Sequence, residues 1–165
     1  IGIVPYLEDN SQILARIVTF GKAYGSHGAA VLISKAMKEY LVNFSRPFIY
    51  TTALPANHYR SLERIVAHHD IFQRQSKLQT NIAFFRSKMK DWQLDSEINS
   101  PIQILRFSDN QKLDRVAEKI SAQGLGVKKI LPPTVAQGEE GLRVCIHSFN
   151  TLEEIEILVN CLLMD

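Results

Sequence analysis

Apolar residues change their spacing several times along this chain, and each change marks an element. Residues 15–19 (ARIVT) are a short β-branched run; the glycine-bearing stretch TFGKAYGSHG follows, then a second apolar run at 29–33 (AAVLI). The pattern predicts strand, loop, strand. Ser34 is placed to cap a helix running through Phe44, in which Ala36, Met37, Tyr40, Leu41 and Phe44 recur at helical spacing. RPFIYTTALP then reads as extended. From Pro55, a good first-turn residue, helical spacing continues for over 30 residues. Leu62, Ile65, Val66, His69 and Phe72 share one face, and after a polar patch at 73–77 the stripe resumes as Leu78, Ile82, Phe85, Met89 and Trp92. That spacing fits one long helix or two in line.

Beyond Asp95 the units alternate: strand 102–107, helix 109–123, strand 126–130, a Pro-Pro-Thr loop, strand 142–147 and helix 152–163. This last part reads as a small α/β unit that closes on itself. The first third, by contrast, has too few strands for a sheet of its own. The expected organisation is therefore α/β with an α+β small domain: residues 1–54 form a strip of a larger sheet, 55–94 a connecting long helix, and 95–165 a small C-terminal domain of sheet and packed helices.

Composition narrows the functional class. The chain has 165 residues, 45% apolar and 22% charged, with 19 basic against 17 acidic side chains scattered along it. These values suit a globular fold and argue against disorder or a coiled coil. No basic stripe for nucleic acid and no polybasic membrane anchor stands out, so neither nucleic acid nor membrane is expected as a partner. No apolar run approaches the roughly 18 to 20 residues that span a bilayer. Cys145 and Cys161 have no metal-ligand spacing, so neither a disulfide framework nor a metal site is expected and a reducing, cytoplasmic setting is the expectation. The chain does not begin with Met, and the expectation is that it belongs to something larger.

The candidate chemistry lies between Thr19 and Gly28. Lys22 sits in a short loop after a strand, bracketed by Gly21 and Gly25, with the Thr19 hydroxyl three residues before it. A lysine that condenses with an aldehyde needs this setting. Its amine must be neutral part of the time, and small neighbours must admit a planar group.

TFGKAYGSHGA resembles the pyridoxal-phosphate attachment signature of the class II aminotransferase group, and the continuation AAVLISKAMKEYLVNFSRPFIYTTALP is similar to the α-oxoamine synthases. Farther on, ILPPTVAQGEEGLRVCIHS resembles that family's Pro-Pro-Thr-Val loop and arginine-bearing strand. The resemblance runs from about Ala15 to the C-terminus. It implies a fold-type-I pyridoxal 5'-phosphate enzyme acting as a homodimer with shared active sites. It implies Lys22 as the catalytic and cofactor-binding lysine, Thr19 beside the cofactor, and Thr51 and Thr52 as hydroxyls reaching the phosphate of the neighbouring subunit. His27, in the lysine loop, is a further candidate contact, and Arg143 is the residue that holds the amino-acid carboxylate.

The implied reaction is a decarboxylating condensation of an amino acid with an acyl thioester, most like the member that joins L-alanine to a pimeloyl thioester for biotin synthesis. Sister members with another amino acid and acyl chain are the alternative, and a non-catalytic dimerisation or substrate-domain fragment is the alternative of another class. The family also uses an acidic residue and a histidine farther upstream, and Glu8 and Asp9 stand too close to Lys22 to match. The expectation is a C-terminal piece that lacks part of the cofactor site and is inactive alone.

Other residues read as structural. His68 and His69, if helical, diverge by about 100 degrees and do not chelate together. Cys145 and Cys161 are expected as core thiols, and Met37, Met89 and Trp92 as core. His147 alternates with Cys145 and Arg143 on one strand face.

Overall fold

The computed structural model describes residues 9, 11–92, 94 and 96–164. Glu8 and the expected boundary at Asp95 lie outside them. The chain divides into two compact units, residues 1–68 and 69–165.

In the first unit, strands β1 (Ala15–Thr19) and β2 (Ala29–Ile33) pair antiparallel in the register Ala15↔Ile33 to Thr19↔Ala29. The nine-residue connection is possible because Gly25 and Gly28 take φ of +57° and +91°, a region other residues resist. Helix α1 (Lys35–Phe44) starts where Ser34 Oγ accepts from Met37 N at 3.3 Å. The stretch expected to be extended instead contains a helical turn, α2 (Arg46–Ile49). Pro47 falls in the first turn, where a missing N–H goes unnoticed, and the Thr51 hydroxyl donates back to the Pro47 carbonyl. Helix α3 (Ala56–Val66) completes the unit and buries Leu62. Elsewhere the unit leaves large apolar side chains in the open, Ile17 at 70% and Phe44 at 67% exposure among them.

The helical stretch predicted from Pro55 onward forms as two helices. Residues 67–70 break it, and Asp70 stands at the N-cap of α4 (Ile71–Lys88). His68 and His69 therefore lie in a turn, so the helical argument that separated them does not apply. His69 Nε2 meets Asp70 Oδ1 at 2.9 Å.

The second unit is a three-stranded antiparallel sheet, order β3-β5-β4, built from β3 (Ile102–Arg106), β4 (Lys128–Ile130) and β5 (Gly141–Cys145). Three helices supply its core: α4, α5 (Asn110–Ala122) and α6 (Leu152–Leu163). Ile82, Phe85 and Met89 pack with Leu113, Val116 and Ile120 and with Leu158 and Leu162 against Leu105, Leu142 and Val144. Full burial of each such side chain is worth about 1.5–3 kcal/mol. Asp109 Oδ1 caps α5 by accepting from Gln111 N at 2.8 Å. A capping box joins Thr151 and Glu154 at the start of α6. The structure is thus the mixed α/β arrangement expected, with a small sheet and packed helices. Among the described residues no helix is long and apolar enough to cross a membrane.

Candidate active-site residues

Thr19 ends β1 and Lys22 lies in the loop that follows, both exposed. Phe20 closes this loop. Its N–H donates to the Gly28 carbonyl at 2.9 Å and its carbonyl accepts from Ser26 N at 2.8 Å. Inside that ring of bonds, Gly25 N donates to the Lys22 carbonyl at 2.9 Å, forming a turn whose last residue has positive φ. The backbone of Lys22 is thereby fixed while its side chain stays out of the turn. Lys22 Nζ has no hydrogen-bond or ion-pair partner among the described residues. Small residues flank it at Gly21 and Ala23.

His27, also in the loop, is exposed, and its carbonyl accepts from His58 Nε2 of α3 at 2.8 Å. The two imidazoles meet edge to face, 6.5 Å between centroids. His58 was not singled out by sequence. It lies 31 residues away, and no local pattern joins it to the loop. At the loop's end, a Cβ on Gly28 would approach Leu54 Cδ1 to 3.0 Å, so the segment after Thr52 runs against the hairpin there. Thr51 and Thr52 are exposed, and the Thr51 hydroxyl is turned back to its own turn at Pro47.

Arg143 belongs to the other unit, in the middle strand β5. Leu142, Val144 and Ile146 are buried among the helices, while Arg143, Cys145 and His147 are exposed on the opposite side, as strand alternation requires. Cys145 is therefore not the core thiol expected, because it alternates with Leu142 and Val144 and falls on Arg143's side; Cys161 is buried. His147 stacks on Phe149, 4.7 Å between centroids. The structure thus places Lys22 and His27 in one loop, with Thr19 at the end of the strand that enters it, and places Arg143 on a separate sheet.

These residues suit a carbonyl-bearing planar cofactor in one respect that the geometry fixes. The Lys22 amine has no partner among the described residues and has glycine and alanine beside it, so it is available to a carbonyl, while the loop's bulky rings, Phe20 and Tyr24, meet each other edge to face at 5.8 Å.

Residues 3–162 match the family described as aminotransferase class I and II. The chain is 38% identical over 169 aligned residues to 8-amino-7-oxononanoate synthase of Emericella nidulans, covering 96% of this chain and 40% of that protein. The crystal structure of 8-amino-7-oxononanoate synthase from Francisella tularensis superposes with a TM-score of 0.71 at 32% identity, covering 89% of this chain and 45% of that one. A serine palmitoyltransferase with its pyridoxal-phosphate internal aldimine superposes with a TM-score of 0.76 at 23% identity, over 92% of this chain and 39% of that one, a likeness of fold. The chain spans about 40% of the length of the curated relatives it matches.

Proposed function

We propose, from the premise that this chain belongs to the aminotransferase class I and II family and to its α-oxoamine synthases, that it is the C-terminal, lysine- and arginine-bearing portion of an 8-amino-7-oxononanoate synthase. The likeness to the Emericella nidulans enzyme across nearly the whole chain carries this reading. Pyridoxal 5'-phosphate is the cofactor of the family, and when bound it supplies the electron sink that stabilises negative charge on an amino acid's Cα.

The chain's own residues then have these tasks. Lys22 would hold the cofactor through Nζ, and the same amine would remove and return the proton at the amino acid's Cα. The loop bonds of Phe20 and Gly25 fix the backbone from which that amine extends, which limits the region it reaches. Thr19 and His27 lie beside the cofactor, and Thr51 and Thr52 offer hydroxyls to its phosphate across a homodimer. Arg143 binds the amino-acid carboxylate with its planar fork. In the reaction, the alanine Cα, after giving its proton to Lys22, forms a bond to the pimeloyl carbonyl carbon as the thiolate leaves and takes a proton from solvent; the original carboxylate then departs as carbon dioxide, and the proton held by Lys22 returns to Cα. Residues 1–54 serve as part of the cofactor-binding domain, 55–94 as the helical connection and 95–165 as the small domain.

The test has two arms. The longer protein is loaded with cofactor, reduced with borohydride and digested; the pyridoxyl label is expected on the peptide containing Lys22 and absent in Lys22→Ala. A label on another lysine overturns the assignment. Turnover is then compared for alanine, glycine and serine with several acyl thioesters, and failure with alanine in favour of glycine or serine transfers the chain to 2-amino-3-ketobutyrate coenzyme A ligase or serine palmitoyltransferase. The 165-residue chain alone is expected to bind cofactor weakly, since the family's other cofactor contacts lie farther upstream.

A further inference from the structure

We infer that Lys128 is a second cation of the carboxylate site, binding the same anion as Arg143; this rests on the reading of Arg143 given above and deepens it. In the β4–β5 ladder Lys128 stands directly across from Arg143, and Ile104 of β3 faces Arg143 from the other side. Residues directly opposite in an antiparallel pair project from one face with their Cβ atoms roughly 4.5–5.5 Å apart, and like charges in that position repel.

Strand alternation separates this pair from the other basic side chains nearby. Lys129, one residue on, pairs in register with Leu142 on the helix side and reaches Asp114 of α5 at 2.5 Å. Arg106, on β3, donates to the Glu139 carbonyl. Lys128 and Arg143 are both exposed, and among the described residues neither has an ion pair or hydrogen bond. The sheet therefore holds two facing cations, neither paired with an acidic side chain among the described residues.

A carboxylate relieves that repulsion. The guanidinium presents a planar two-point fork, and the ammonium adds a third donor from the neighbouring strand. Ile104, half-buried on the far side of Arg143, offers apolar surface to the carbon attached to the carboxylate. Arg143 sets the plane of the ligand, and Lys128 adds charge and fixes which edge of the fork is used.

The experiment uses the 165-residue chain without cofactor and three probes at equal ionic strength: propionate, neutral propionamide and chloride. Binding is read from the Arg143 guanidinium NMR signal and from the unfolding midpoint. Propionate is expected to shift both where propionamide and chloride do not. Lys128→Gln is expected to weaken propionate binding roughly fivefold, the upper range for one exposed charge. Lys128→Arg should restore binding to within about twofold of the original, since it returns the charge. In low salt without propionate, Lys128→Gln should be at least as stable as the parent chain because the repulsion is gone.

Equal propionate affinity in the parent and Lys128→Gln overturns the inference, as does an equal response to chloride. Neither readout needs turnover. Lys128-dependent binding in a protein that fails to use alanine would remove the proposed reaction and leave the carboxylate site. Alanine turnover with unchanged binding in Lys128→Gln would remove Lys128 alone.

Discussion

Asn81, fully buried on α4, donates through Nδ2 to the His147 carbonyl at 2.9 Å. The same amide reaches the Asn150 carbonyl at 2.9 Å, and His147 N in turn donates to Asn150 Oδ1 at 2.8 Å. One helix side chain thus ties down the turn that leaves the Arg143 strand. Asn81→Leu keeps the bulk and strands both carbonyls, so it should cost about 2 kcal/mol in urea unfolding. A loss within error of zero would mean that solvent satisfies the turn.

Gly141 lies in the middle strand, opposite Arg106 on one side and Ile130 on the other. A Cβ there would overlap the Leu105 carbonyl, a backbone atom that cannot rotate away. Gly141→Ala should therefore destabilise the unit by about 3 kcal/mol, read as a drop in thermal midpoint. Gly126, where an added Cβ meets nothing within 4 Å, is the matched control and should tolerate alanine with little change.

The start of α6 gives a pH prediction. Hydrogen bonds from its own backbone N–H and from the Thr151 hydroxyl hold the Glu153 carboxyl below its ordinary value. A depressed carboxylate stabilises the fold above its unfolded pKa, and that contribution disappears as pH falls through the folded value. Thr151→Val removes the hydroxyl, so carboxyl NMR titration should find Glu153 moved upward, with less stability lost on acidification. The same variant breaks the capping box and should cost about 1 kcal/mol at neutral pH. An unmoved Glu153 would assign its shift to the helix end alone.

On the roles proposed for Arg143 and Lys22, Arg143→Ala in the longer protein should raise the amino-acid KM without loss of cofactor. Loss of a charged bidentate partner is worth about 2–3 kcal/mol in kcat/KM. Arg143→Lys should recover part of it, since the charge returns and the planar fork does not. Unchanged amino-acid kinetics would exclude the carboxylate role.

Where local signals agreed, the sequence was enough. The runs 15–19 and 29–33 became β1 and β2 at those bounds, and Ser34 and Thr151 capped the helices expected after them. One departure had a physical cause. RPFIYTTALP is rich in strand-forming residues, yet Pro47 sits where a helical turn tolerates it and Thr51 bonds back to close the turn. The spacing after Pro55 leaves one helix or two in line open, and the structure takes the second, with Asp70 just before Ile71 as the helix-start signal where the stretch divides.

The candidate site was legible unevenly. Lys22 is singled out by the resemblance of TFGKAYGSHGA, since one lysine between glycines suits a solvated turn equally well on its own. Cys145 was misplaced among core thiols although its alternation with Arg143 already placed it on the exposed face. His58 and Lys128 required the fold: one reaches the lysine loop across 31 residues, the other meets Arg143 only through the register of two strands.

Apart from Leu62, the buried apolar residues described all belong to the second unit, whereas the lysine loop hangs on a hairpin whose Ile17, Val31 and Leu32 are exposed. A mutational screen scored on stability or yield would therefore chart the small sheet and its helices in detail, register Gly25 and Gly28 in the loop for their backbone, and pass over the exposed side chains of Thr19 and Lys22 almost blind. Substitutions of the residue proposed to do the chemistry would look neutral in such a screen, and only a chemical readout at the Lys22 amine would tell them apart.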